Sequence, residues 1–169
     1  MRIFKSHKYE LLSILTASLF LIILIKLFLS FYMVKGTSMT PIIFDKNWIV
    51  SHKFAYGLRL KTHQKYLLLW KAPRKNEMVL IKDPITKKIA IKKIFAIPGE
   101  EFKQIEKNKI CIHDLNFIID ENILKKNNIK KIPEKHYLVI GENKQTSLDS
   151  RDYGFINIDN ILGKIIYHF

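Results

Sequence analysis

The sequence predicts a mainly β protein in which one N-terminal transmembrane helix carries an extracytoplasmic antiparallel β domain. Three observations predict it. Residues 11–34 form an apolar run whose one charge is Lys26. The chain beyond that run breaks into short segments rich in Ile, Val and Tyr, stopped by Pro, Gly, Asn or Asp, which is the pattern of strands and tight turns. A mean hydropathy of zero coexists with a net charge of +14, as where a hydrophobic segment is attached to a basic, water-facing remainder.

Arg2, Lys5 and Lys8 precede the apolar run. If Lys26 ended the span, it would measure about 22 Å at 1.5 Å rise per residue, short of a hydrocarbon core of ~30 Å. Carried on to Val34 the run is long enough, and Lys26 then sits in its distal half at a cost of up to about 2.5–3.5 kcal/mol, less when its stem snorkels. A cleaved signal sequence is the alternative. It has the same basic start, but Phe31 to Gly36 lacks the small residues that a cleavage site needs. The organisation expected is therefore a basic cytoplasmic N-terminus over 1–10, a transmembrane helix over 11–34 and an extracytoplasmic β domain over 35–169, with a variable insertion at 103–135. The basic N-terminus stays inside, and long domains cross largely regardless of charge. That places the protein in the inner or plasma membrane, crossed once.

Strands are expected at Trp48–Lys53, Glu77–Lys82, Ile89–Ile97, Lys109–Ile112, Phe117–Ile119, His136–Ile140 and Ile161–Tyr167. Asn122 to Lys135 is Lys- and Asn-rich and reads as a solvated excursion. Tyr66 to Trp70 is an apolar run between Lys65 and Lys71; a core strand is the favoured reading, and a patch touching the bilayer interface is the other. The single Cys111 excludes an intramolecular disulfide. The charge would permit nucleic-acid binding, but no aromatic-spaced RNA motif, zinc spacing or phosphate loop supports it. No metal or cofactor is expected.

A hydroxyl nucleophile needs a neighbouring base that is neutral at working pH. The histidines sit in no recognisable nucleophile elbow. Lysine is the other candidate, useless in water at a pKa near 10.4, yet burial among apolar groups disfavours the ammonium and lowers it. Lys92 and Lys93 close an apolar strand, and successive strand residues face opposite ways, so one can be buried while the other reaches solvent. Parity does not say which.

Four blocks appear in order: Gly36-Thr37-Ser38-Met39-Thr40-Pro41; Asn76-Glu77-Met78-Val79; Lys92-Lys93 with Pro98-Gly99-Glu100; and Gly141-Glu142-Asn143 leading to Ser147-Leu148-Asp149-Ser150-Arg151. Together they resemble the type I signal peptidases, bacterial membrane proteases with a Ser/Lys dyad and a β fold shared with SOS-repressor-like domains. The resemblance implies Ser38 as nucleophile and Lys92 as general base, with Lys93 its outward neighbour. It implies Ser147 orienting the Lys92 amine, and Asp149 and Arg151 pairing to hold that loop. The oxyanion would be met by the Ser38 N–H. Gly36 falls where some members carry a helping serine, and the Thr37 hydroxyl is a candidate substitute. An extended leader peptide would add to strand edges near Tyr32, Val34 and Met39 on one side and Ile89, Ala90 and Ile91 on the other. The partners implied are signal peptides of secreted preproteins, membrane lipid and the secretion translocon. A pilin-maturation peptidase and a non-catalytic leader-binding relative are the narrower alternatives.

Overall fold

The computed structural model describes residues 2–59, 65–120 and 130–169, with side chains from residue 9 on. Helix α1 (Arg2–Phe28) passes directly into strand β1 (Leu29–Met33). The strands that follow are β2 (Trp48–His52), β3 (Gly57–Arg59), β4 (Tyr66–Leu69), β5 (Met78–Lys82) and β6 (Ile89–Ala96). After them come β7 (Lys103–Glu106), β8 (Lys109–Ile112), β9 (Leu115–Ile118) and β10 (His136–Ile140). The chain closes with helix α2 (Ser150–Tyr153), β11 (Ile156–Asn157) and β12 (Ile161–His168).

Seven strands form one antiparallel sheet in the order β1-β2-β12-β5-β6-β10-β11, while β3-β4 and β7-β8-β9 form two smaller ones. Strand β5 lies inside the large sheet and is buried on both faces, so it reads as a nearly unbroken apolar run. Its side chains alternate as a pleat requires. Val79 and Ile81 join Tyr56, Ile94, Tyr137, Val139 and Ile161 in one core. Leu80 turns the other way and packs with Met39, Ile43, Ile49, Ile91 and Ile165 in a second. Met39 and Ile43 thereby bolt the loop between β1 and β2 to the sheet.

Three expectations need correcting. The helix does not run to Val34: it ends at Phe28, and Leu29–Met33 pairs with β2 in the register Leu29↔His52 to Met33↔Trp48. Hydropathy sees one apolar run, but the sheet edge takes the last residues because β2 supplies backbone partners there. The stretch long and apolar enough to cross a membrane is Tyr9–Phe28, 20 residues, about 30 Å at 1.5 Å per residue, with Lys26 in its last turn. Second, Tyr66–Leu69 is a strand but not a core one, since Leu67, Leu68 and Trp70 are all exposed, Leu68 at 61%. Third, the solvated excursion is not solvated throughout. Part of it, 122–129, lies outside the described residues, but Ile132 is buried with Phe102, Ile110 and Phe117 in a third core.

Candidate active site

Ser38 sits in the turn that follows β1. Val34 and the Asn47 and Lys46 backbone close the base of the loop, through Val34 N–H to Asn47 O (2.9 Å) and Lys46 N–H to Val34 O (3.0 Å). Within it Gly36 adopts φ +99°, which favours glycine, and its N–H donates to Asp45 Oδ1 at 2.7 Å. The Thr37 hydroxyl donates to Thr146 Oγ1 at 3.3 Å, so Gly36 and Thr37 spend their donors on the protein. Among the described residues no acceptor takes the Ser38 N–H.

Lys92 lies on β6 opposite Val79 of β5, while Lys93 lies opposite Met78. The parity resolves as one buried and one outward lysine: Lys92 is 2% exposed, and Lys93 reaches the surface to pair with Glu142. Burial pushes the Lys92 amine below the usual lysine range. The Asp149 and Asp83 carboxylates pull it back up, and the Arg151 guanidinium adds to the depression. Lys92 Nζ donates to Ser147 Oγ at 2.7 Å, and Ser147 Oγ donates to Asp149 Oδ2 at 2.7 Å. The Ser147 hydroxyl has one proton and spends it on Asp149, so it can only accept from the amine. A neutral amine held by one N–H keeps its lone pair free for another direction.

Asp149 is fully buried and heavily bonded. Arg151 Nε and Nη2 donate to it at 2.8 and 2.6 Å, and the Gly141 N–H donates at 2.9 Å. Burial alone would raise this carboxyl, but those donors, Arg151 first, hold it below the usual range. Asp149 also caps α2, with a reciprocal bond from its own N–H to Asp152.

Two further residues join the halves of the site. A Cβ on Gly141 would fall 2.2 Å from Ser147 Oγ and 2.6 Å from Ser38 O, so both groups converge where only hydrogen fits. Asn143 donates its N–H to Ser38 O at 3.0 Å and its side-chain amide to Thr40 Oγ1 at 3.2 Å. Both belong to a block singled out in the sequence without a role for either. Asp45 and Thr146 lie outside any motif, and no sequence signal marks them.

Beside Ser38 a cavity of about 230 Å³ is lined by Tyr32, Met33, Val34, Lys35, Ser38, Met39, Ile49, Leu80, Ile89, Ala90 and Ile91. It therefore gathers Tyr32, Val34, Met39, Ile89, Ala90 and Ile91 around the serine. Its walls have strand edges to spare. Strand β1 is the edge of the large sheet. Ile89, Ala90 and Ile91 pair with β5 on one side, and β10 pairs only from Lys93 on.

An apolar helix long enough to span a bilayer leads into an antiparallel β domain in which Ser38 lines a cavity and Lys92 is buried, features that a membrane-tethered hydrolase of the serine type would have. The family model for signal peptidase, peptidase S26, matches residues 8–169, and the chain belongs to that family. It is 28% identical to signal peptidase I V of Bacillus subtilis (strain 168), over 79% of this chain and 82% of that one. It is 22% identical to signal peptidase I of Buchnera aphidicola subsp. Schizaphis graminum, over 92% of this chain and 73% of that one. A crystal structure of a signal peptidase I from Enterococcus faecalis V583 aligns over 57% of this chain and 98% of that chain, with 21% identity and a TM-score of 0.40. The activity is endoproteolytic, of the signal peptidase I type.

Proposed function

We propose that the protein removes N-terminal signal peptides from exported preproteins, with Ser38 as nucleophile and Lys92 as general base. Neutral Lys92 takes the Ser38 hydroxyl proton as Oγ attacks the scissile carbonyl. The Ser38 N–H meets the oxyanion that forms. Collapse breaks the C–N bond, Lys92 returns the proton to the leaving amine, and the peptide stays on Ser38 as an ester. Lys92 then deprotonates a water that hydrolyses the ester. The observation that carries this reading is the burial of Lys92 with its amine tied to Ser147, because only a desolvated lysine is a base at neutral pH.

The unpaired edges of β1 and of Ile89–Ile91 support an added strand of extended substrate between them, with side chains entering the apolar cavity. Lipid is the second partner. Phe31, Met33, Trp48 and Tyr167 are exposed on three strands paired Met33↔Trp48 and Phe31↔Val50↔Tyr167, and exposed Phe169 follows the last of them. Together with exposed Leu67, Leu68 and Trp70, they support contact with the membrane interface. The N-terminus lies in the cytoplasm and the β domain outside the inner or plasma membrane, where preproteins emerge from the translocon.

Cleavage of a preprotein with an Ala-x-Ala leader by detergent-solubilised protein tests the reading. Wild type yields the cut product, while Ser38→Ala and Lys92→Met yield none above background. Cutting by either variant at the wild-type rate would remove that residue from the mechanism.

A further inference from the structure

Packing on the sheet fixes the distance between Ser38 and Lys92 in part, since Met39 beside the serine shares a core with Leu80 and with Ile91 beside the lysine. Ser38 sits in a surface loop beyond β1, and Lys92 sits on β6, with β2, β12 and β5 between them in the sheet order. A polar link joins the two as well, and it runs through one residue. Asn143 holds the serine turn twice, by its N–H on Ser38 O (3.0 Å) and its amide on Thr40 Oγ1 (3.2 Å). Its own carbonyl accepts the Ser147 N–H at 3.1 Å, and Ser147 Oγ carries the Lys92 amine.

The amide can sit only one way round. Thr40 Oγ1 spends its single proton on Thr37 O at 2.8 Å, so towards Asn143 it can only accept. Asn143 Oδ1 accepts the Gln145 N–H at 3.1 Å, so the NH₂ end must face Thr40. The Thr37 hydroxyl, bonded to Thr146 immediately before Ser147, braces the same pair of loops alongside.

We infer that Asn143 is a positioning residue for the reaction: with Thr40 as its acceptor, it latches the nucleophile turn to the loop that aims the lysine and so makes the final adjustment of the Ser38–Lys92 separation. It touches neither the reacting atoms nor the cavity. Its effect is on the rate of the chemical step, since a base must come within hydrogen-bond reach of the proton it takes and an error of ~1 Å can lower the rate about 100-fold. The inference rests on the assignment of Ser38 and Lys92.

The test is single-turnover and steady-state cleavage of a preprotein by the full chain in detergent, with thermal unfolding measured alongside. Asn143→Ala is expected to lower kcat about 10- to 100-fold with KM within about twofold and the unfolding temperature nearly unchanged. Asn143→Asp, equal in size but with no amide donor, falls similarly, and its acid limb moves to higher pH because an added carboxylate near Lys92 favours the ammonium. Thr40→Val keeps the shape, removes the acceptor and lowers kcat in the same way. The double variant Asn143→Ala/Thr40→Val is no slower than the slower single one. Full kcat in Asn143→Ala and Thr40→Val, losses that multiply in the double variant, or a rise in KM at constant kcat would overturn the latch. If Asn143→Ala does not fold, Thr40→Val and Asn143→Asp carry the same test. Ser38→Ala, run in parallel, separates the two levels: a Ser38→Ala protein that still cuts overturns the underlying assignment, whereas an inert one beside fully active latch variants overturns the latch alone.

Discussion

Replacing Lys92 by Met keeps most of the side chain's length and removes its amine, and it should lower activity while changing how stability depends on pH. Cleavage should fall by about 10⁴-fold or more, since removal of a general base from a nucleophile–base pair is among the most damaging changes an active site can undergo. Stability should change in a pH-dependent way, with Met most favoured at low pH. The native amine is 2% exposed and its pKa is lowered by burial, so the folded wild type loses about 1.36 kcal/mol for each unit of that lowering whenever the lysine is protonated in both states. Against this the variant forfeits one hydrogen bond to Ser147, about 1 kcal/mol. Met therefore gains wherever the lowering exceeds about one unit. The pH dependence has a definite sign. Between the lowered native pKa and the ordinary value near 10.4 the unfolded chain binds more protons than the native one, so wild-type stability climbs with pH across that window. The advantage of Met is full below the native pKa and vanishes as the pH rises towards the unfolded one. Thermal unfolding of both proteins in detergent across that range reads it directly. Equal pH slopes for the two proteins would refute the claim that Lys92 is held in a desolvating site.

Wild-type cleavage should rise with pH along a limb centred below the ordinary lysine pKa, because the neutral amine is the active form and burial lowers its proton affinity; a rate that falls over this range would contradict it. Arg151→Met should destabilise by about 3–5 kcal/mol, by stripping a fully buried carboxylate of its partner, and should shift the activity limb to higher pH, because the guanidinium helps depress Lys92. Unfolding and pH–rate profiles of the same preparation check both. Gly141→Ala should abolish cleavage without preventing folding, since a methyl 2.2 Å from Ser147 Oγ and 2.6 Å from Ser38 O forces the two loops apart. Rates and a melting curve decide it.

The chemistry was more legible in the sequence than the boundaries were. Two adjacent lysines on an apolar strand imply one inward and one outward by pleating alone, and the resemblance named Lys92 as the base, with the structure burying it and leaving Lys93 to Glu142. Strand positions followed from Pro, Gly and Asp stops, so β2, β5, β8 and β10 lie within a residue of their expected places. What hydropathy could not see was where apolar residues go. Leu29–Met33 and the stretch before it are equally apolar, yet one face meets a hydrogen-bonding neighbour and the other does not. The same blindness made the Leu67–Trp70 run look like core, whereas it stands outside. Ile132 erred in the opposite direction: its lysine neighbours suggested solvent, but its side chain fills the space beside Phe117. The bonds of Asn143 and Asp45 depend on loops meeting through space, and no local pattern records that.

The joint between α1 and β1 has no slack, since residue 28 ends the helix and residue 29 begins the strand. Strand β1 spans about 17 Å, five residues at ~3.3 Å each, and the serine turn follows it. If α1 crosses a bilayer, so short a tether bounds how far the serine turn can stand from the lipid: no further than five extended residues and the turn itself allow.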